Sequence, residues 1–471
     1  MTCVIRLFTA LVTITAWHPT HAQDSVGATS RPIIAIERVT VIDVVRGKLV
    51  SPRTVLIVDG RIAAIEEPGR AAIPPGAVRV EGRGRYLIPG LVDMHVHLFN
   101  NYSRRAPNEW AFPLFVVNGV TGVRDMWTEP ASMAVVERWR TKVAKGELIA
   151  PRMLAAGTAV GAGSEDSVRR QVREAHSAGV DFVKVFSNVR EPLWRAILDE
   201  ARAQRMPVCG HVPGEVTLLA AATAGQRSSE HLMQVYEACS AKEKQFLGAR
   251  KGLDGKEIVR LRDAQEREVL ESFDQLVCDR TAGALAKTGQ VQVPTLVLSH
   301  FEAHGDRAQF RDDPRWRYLR RDEQARWERY LAERTIEEVK LGALRSDVSR
   351  PIVKTLNGAR VPILAGTDAP MPLVYPGFSL HNELELLVES GLTPADALRA
   401  ATIGPAEFFG LSKNSGSIAL GKRADLVLLD DNPLLQISNT RHIRAVVLDG
   451  RLLQRADLDA LLAAAASDSS R

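Results

Sequence analysis

Aromatic residues are scarce in this chain of 471 residues, at 6%, and cysteines number only 4. So few cysteines exclude a small scaffold held together by disulfides. An excess of one charge is also missing, since 61 basic residues face 56 acidic ones and leave a formal net charge of +5. No run of lysine and arginine interleaved with aromatics occurs, so no nucleic-acid partner is expected. Nor is there an apolar stretch of the roughly 20 residues needed to span a bilayer. What remains, 45% hydrophobic and 25% charged, is ordinary globular composition, enough for one large enzyme domain and a smaller satellite.

The first residues carry one charge, Arg6, ahead of the apolar run LFTALVTITAW, and reach small residues before Gln23. Residues 1–22 therefore read as a secretory signal peptide cut after Ala22, which predicts export to the periplasm or beyond and no stable membrane anchor. Cys3 lies ahead of the apolar core, too early to be a lipid-attachment site. Of the remaining cysteines, Cys239 and Cys278 are the expected pair in an oxidising compartment. Cys209, inside the apolar run VCGHV, is expected as a buried free thiol.

Residues 23–90 alternate apolar and polar positions, with a hairpin signal at Asp59-Gly60. The tail from 413 to 471 repeats that pattern, with RADLVLLD, IRAVVLDGRLL and a second Asp-Gly turn at Asp449-Gly450. The two segments are expected to pack as one β-sandwich built from both ends of the chain. Between them, residues 91–412 alternate short apolar runs with amphipathic stretches, the mark of parallel βα units. Eight strands are read there: LVDMHVHL, VTGVRDM, RMLAAGTA, DFVKVFS, PVCGHV, RSSEHL, VQVPTLVLS and VPILAGTDA. The expected fold is α/β, a (β/α)8 TIM barrel, with its active site at the strand C-terminal ends. A charge-dense helical insertion, about residues 236–350, reads as solvated helix, with a lid or substrate-selecting cap as the alternative.

The end of the first barrel strand carries His95 and His97. In a strand, positions i and i+2 face the same way, so both imidazoles converge on one point and can share a metal ion. Lys184 sits in the otherwise apolar DFVKVFS, where burial favours the neutral amine. Such an amine can take up carbon dioxide as a carbamate that bridges two cations. The plainer reading is a lysine paired to a buried carboxylate. His211 and His231 end the fifth and sixth strands and Asp368 the eighth, all facing the same mouth. Asp368 can bind metal and accept a proton from water. Candidate substrate-binding residues are Tyr102 and Arg104, in the loop after the first strand beside Arg105, and His381 in SLHNELEL. Solvated loop and helix face are the alternatives for these. Arg124, in GVRDM, is expected in a structural ion pair with a nearby acid.

Taken together, IPGLVDMHVHL, VTGVRDM, DFVKVF, GHV, SSEHL, AGTDAP, GLTPADALRAATIGPAEFFGL and GSIALGKRADLVLLDDNPL resemble the amidohydrolase superfamily over nearly all of the mature chain. In particular they resemble its imidazolonepropionase-like and prolidase-like branch. The resemblance implies two divalent metal ions, with zinc suited to the donor set. His95, His97 and Asp368 would hold the more buried ion and His211 and His231 the more exposed one, with carboxylated Lys184 between them. The implied reaction is hydrolysis of a carbon–nitrogen amide bond by a water acidified between the metals, in a dipeptide or N-acyl amino acid. Cyclic amides, lactones and phosphotriesters are alternative substrates, and a non-catalytic metal-binding relative is the contrasting class. The expected partner is a small-molecule or dipeptide substrate, and a homo-oligomer is left open.

Overall fold

The alternating pattern near the start of the chain becomes strand β1 (Ile34–Asp43), whose Ile34, Ile36, Val39 and Val41 are buried together. The computed structural model describes residues 31–99, 107–304 and 312–468. The expected signal peptide, Tyr102, Arg104 and Arg105 lie outside the described residues.

β1 pairs with β2 (Lys48–Val58), which turns back into β3 (Arg61–Glu66). The turn is the expected one: Asp59 and Gly60 both have left-handed backbone, at φ 48° and 74°, as a two-residue hairpin requires. β4 (Val78–Glu81) and β5 (Tyr86–Pro89) both lie parallel to β1. β5 joins the two ends of the chain, because its other edge pairs antiparallel with β13 (Leu426–Leu429). β14 (Ile443–Leu448) and β15 (Arg451–Gln454) continue the sheet across the Asp449-Gly450 turn. The strands expected in a sandwich thus hydrogen-bond into a single eight-stranded sheet.

The middle of the chain forms parallel strands buried on both faces, as strands covered by helices must be. β6 (Leu91–Val96), β7 (Val120–Asp125), β8 (Arg152–Ala159), β9 (Phe182–Val185) and β10 (Val208–Gly210) pair in sequence order. β11 (Ser228–Glu230) pairs with β12 (Val291–Val293). Arg227 N donates to Val208 O at 2.7 Å, linking β10 to β11. Gln292 bridges in parallel to Ile363, and Ala369 to Val96 of β6. Met94, Ala155, Phe182, Cys209, Val293 and Leu364, from six different strand segments, meet in one apolar cluster. Filling the interior with side chains in this way gives a TIM-barrel-like α/β fold. A fully buried ring such as Phe182 contributes about 1.5–3 kcal/mol through burial alone.

Two strand readings change. In VQVPTLVLS the strand stops at Val293, and Leu296–His304 is a helix. Pro294 has no N–H for a sheet and Thr295 turns left-handed at φ 49°. In VPILAGTDA only Ile363 and Ala369 form bridges, yet the segment still hydrogen-bonds to its neighbours, with Met94 N donating to Ala365 O at 2.9 Å. The insertion is helical, with Gly255–Glu271, Gln275–Leu285 and Ile336–Gly358 among its helices. A disulfide joins Cys239 to Cys278, and Cys209 is free and buried.

Candidate active site

β6 delivers both of its histidines to one place. His95 Nε2 lies 3.1 Å and His97 Nε2 2.8 Å from the same oxygen, Oδ1 of Asp368. One ligand atom from each of the three falls within 4.8 Å of the others, a grouping able to hold a metal ion. Asp368 reaches this point because its backbone turns left-handed at φ 67°, and His231 does the same after β11 at φ 63°. Residues in that region cluster at functional sites, where surrounding structure holds them. The approach of the Asp368 segment to β6 depends on Gly366, where a Cβ would stand 2.9 Å from His95 Cβ.

The other three candidates close the group. The His231 ring centroid is 4.6 Å from that of His95 and 5.1 Å from that of His211. Thr295 Oγ1 sits 2.8 Å from His231 Nδ1, which leaves Nε2 of that ring for another partner. Both ring nitrogens of His211 are buried with no hydrogen-bond partner. A polar atom so placed costs about 1–3 kcal/mol if nothing satisfies it, so the ring suits a metal ligand better than a packing residue. Burial pushes His231 down to about 3, helped by the charge of His95. It likewise pushes His211 well below the ordinary imidazole value, helped by Lys184 and His231. Neutral imidazole is the form that binds metal.

Lys184, at 1% exposure, lies with Nζ 4.9 Å from the centre of the Phe186 ring. No carboxylate lies within 4 Å of its Nζ among the described residues, although Asp368 and Glu230 act on it electrostatically. Burial lowers its pKa, against the opposing pull of Asp368 and Glu230. For Asp368, burial acts upward, but the charges of His95 and His97 outweigh it and hold the carboxyl well below its usual range.

Behind these residues stands a second set, of which the sequence reading missed Glu230 and Asp93. Glu230, fully buried, lies 3.0 Å from His95 Nδ1 and takes both oxygens to Arg124 Nη2, at 3.0 and 2.9 Å. Its hydrogen bond fixes the proton on His95 Nδ1 and turns Nε2 toward Asp368. Burial raises the Glu230 pKa, yet the Arg124 charge and His95 overcome this and hold it below the ordinary value. Arg124 is thus the structural ion pair expected from GVRDM. Asp93 accepts from Thr367 Oγ1 at 2.6 Å and from His95 N at 3.1 Å. It therefore ties the two ligand segments together, with burial pushing its pKa up to about 7. A signal for Asp93 was available, since Asp93, His95 and His97 share one face of the strand.

His211, His231 and Asp368 open into a cavity of about 340 Å³. Its far wall comes from the insertion, through Arg262 and Glu266 of helix 255–271 and Arg345 of helix 336–358. His381 is not brought to the site: it is buried in helix 378–389, with Nδ1 2.9 Å from Thr440 Oγ1.

The sequence model of the Amidohydrolase family matches residues 316–453. A dihydroorotase from Anaeromyxobacter dehalogenans is 28% identical over 432 residues, covering 84% of this chain and 88% of that protein. Among solved structures, bottromycin amidohydrolase is 25% identical with a TM-score of 0.70, covering 93% of this chain and 90% of that one. A Xaa-Pro dipeptidase with methionine bound in its active site is 19% identical with a TM-score of 0.63, covering 90% of this chain and 100% of that one. Residues 316–453 thus carry an Amidohydrolase-family match, and the longer likenesses run through the same TIM-barrel-like fold that gathers His95, His97, His211, His231 and Asp368; together they support a hydrolase acting on carbon–nitrogen bonds.

Proposed function

We propose that this chain is an exported metal-dependent amidohydrolase that cleaves the amide bond of dipeptides or N-acyl amino acids. The observation that carries the reading is His211, whose two buried ring nitrogens lack partners beside His231, Lys184 and the His95–His97–Asp368 group. His95, His97 and Asp368 would hold one divalent ion and His211 and His231 a second, with Lys184 as a carbamate between them. Imidazole and carboxylate donors suit zinc. When bound, such ions supply Lewis acidity and bring a water's pKa toward neutrality. Residues 1–22 act as the export signal in this reading, which places the enzyme in the periplasm or outside the cell. The hydrogen bonds from β12 through residues 363–369 to β6 are read as closing an eight-stranded barrel, and the eight-stranded sheet as the expected sandwich.

The chain's own groups supply the rest. Asp368, held ionised by its two histidines, takes the proton of the attacking water and passes it to the leaving nitrogen. Glu230 and Asp93 keep His95 and the Asp368 segment in register, a preorganisation that lowers the barrier without being consumed. The insertion walls the cavity through Arg262, Glu266 and Arg345. A linear amide agrees with the Xaa-Pro dipeptidase likeness and its bound amino acid. A cyclic amide is the second reading, from the dihydroorotase likeness over most of the chain.

The test is release of free amino acid from a panel of dipeptides and N-acyl amino acids by zinc-reconstituted protein. Asp368→Asn should lower kcat by roughly 10²–10⁴-fold. A folded, metal-loaded wild type that cleaves no linear or cyclic amide, but does cleave lactones or phosphotriesters, would overturn the proposal.

A further inference from the structure

The cavity above the metal ligands is lined by four carboxylates, Glu237, Asp263, Glu266 and Glu302, and by two arginines, Arg262 and Arg345. Counted without their partners, these would suggest a cationic substrate. Their pairing reverses that. Glu237 is 2.7 Å from Arg250, a pair buried on both sides. Arg345 holds Glu266 at 2.8 Å and also contacts Glu302. Asp263 is 65% exposed and lies at the rim. Once these charges are matched, the described residues lining the cavity retain one cation without a close partner.

That cation is Arg262. Its side chain is only 13% exposed, Nη1 is buried with no hydrogen-bond partner, and its one carboxylate within 4 Å is the neighbouring Asp263, at 3.9 Å. A guanidinium carries five donors in a fixed fork, and burying one with donors unmet is unfavourable until an anion meets it. The planar fork fits a carboxylate, which accepts two parallel bonds. Arg262 stands in the same cavity as His211, His231 and Asp368, and its charge is felt at His211. Val269, Leu270 and Leu298 line the same space, giving an apolar side chain somewhere to rest.

We infer that Arg262 is the anchor for the free carboxylate of the substrate's leaving amino acid, and that the enzyme therefore selects N-acylated amino acids and dipeptides with an apolar C-terminal residue over their neutral amides. This rests on the amide-hydrolase reading above. The bond broken is the acyl carbon–nitrogen bond, water supplies the hydroxyl to the acyl group and the proton to the amine, and the anchored carboxylate leaves unchanged on the product.

The experiment compares N-acetyl-L-leucine with N-acetyl-L-leucinamide, in wild type, Arg262→Met and Arg262→Lys. Hydrogen bonds to a charged group are worth about 10–150-fold. Wild type should favour the acid by at least about 30-fold in kcat/KM, mainly through KM. In Arg262→Met that preference should fall to about threefold or less, and Arg262→Lys, which keeps the charge without the fork, should lie between. A preference that survives in Arg262→Met would overturn the inference and leave the hydrolase reading standing. If wild type cleaves neither compound, the hydrolase reading passes to the wider amide panel above. Calorimetric binding of the same pair then decides the anchor: acid bound by wild type and not by Arg262→Met sustains it, and equal binding by both proteins overturns it.

Discussion

Replacing Glu230 by glutamine keeps the shape of the side chain and removes its charge from a place where neither it nor Arg124 has any solvent, both side chains being 0% exposed. The guanidinium then keeps its bonds to Met94 O, at 2.6 Å, and to Ser228 Oγ, at 3.2 Å, but loses the only countercharge it contacts among the described residues. Removing one partner of a buried pair typically costs about 3–5 kcal/mol. Because the glutamine oxygen can still accept one bond from Nη2, the expected loss is near the lower end, about 3 kcal/mol. Metal affinity should suffer separately. The glutamine amide no longer fixes the proton on His95 Nδ1, and loss of such an outer partner typically weakens a metal site by about 10–100-fold. Denaturant unfolding measures the first effect, and zinc competition against a chromophoric chelator the second. Replacing both Arg124 and Glu230 by methionine should restore much of the stability while leaving zinc binding weak, since no unpaired charge remains but His95 is still unsupported. A Glu230→Gln protein with wild-type unfolding and wild-type zinc affinity would refute both the electrostatic and the orienting roles assigned here.

Three further outcomes follow. Glu383 is buried, which pushes its carboxyl up to about 8 from the ordinary 4.5. The folded state therefore holds this proton more tightly than the unfolded chain, and the associated stability is full below pH 4.5 and lost as pH rises to about 8. Glu383→Gln should gain a few kcal/mol relative to wild type between pH 5 and pH 9, and parallel unfolding curves at both pH values would contradict this. The Cys239–Cys278 disulfide spans a sequence separation of 39, for which loop-closure entropy gives roughly 4 kcal/mol. Reduction should lower the denaturation midpoint accordingly, and an unmoved midpoint would show that the loop is held by packing alone. In Gly366→Ala the new methyl would meet Val293 Cγ1 at 2.7 Å and His95 N at 3.0 Å. It should destabilise by about 1–3 kcal/mol and reduce bound metal, whereas normal metal content would argue against the close approach.

The gathering of the candidate ligands was legible because strand geometry is simple: His95 and His97 sit two apart, and His211 and His231 end successive strands. What periodicity could not give was Glu230. Strict alternation puts neighbours 230 and 231 on opposite faces, so one residue of the pair should have pointed away from the barrel. The left-handed turn at His231, φ 63°, breaks that alternation and brings both inward, a backbone choice that no side-chain pattern announces. The run TLVLS was misread for a related reason. A short apolar segment fits a strand or a buried helix equally, and here Pro294 and the left-handed Thr295 decide it. The alternating pattern marked strands at both ends of the chain, yet only the pairing of β5 with β13 reveals that they share one sheet. Nor could composition alone reveal how Glu237, Glu266 and Glu302 of the insertion pair with Arg250 and Arg345.

The most direct test of the account is metal content by mass spectrometry after reconstitution with zinc and bicarbonate, for wild type, Lys184→Met and His211→Ala. The account predicts about two divalent ions per wild-type chain and a clear loss in each variant. A well-folded wild type that retains no metal, or a Lys184→Met protein that still binds two ions as tightly, would contradict it.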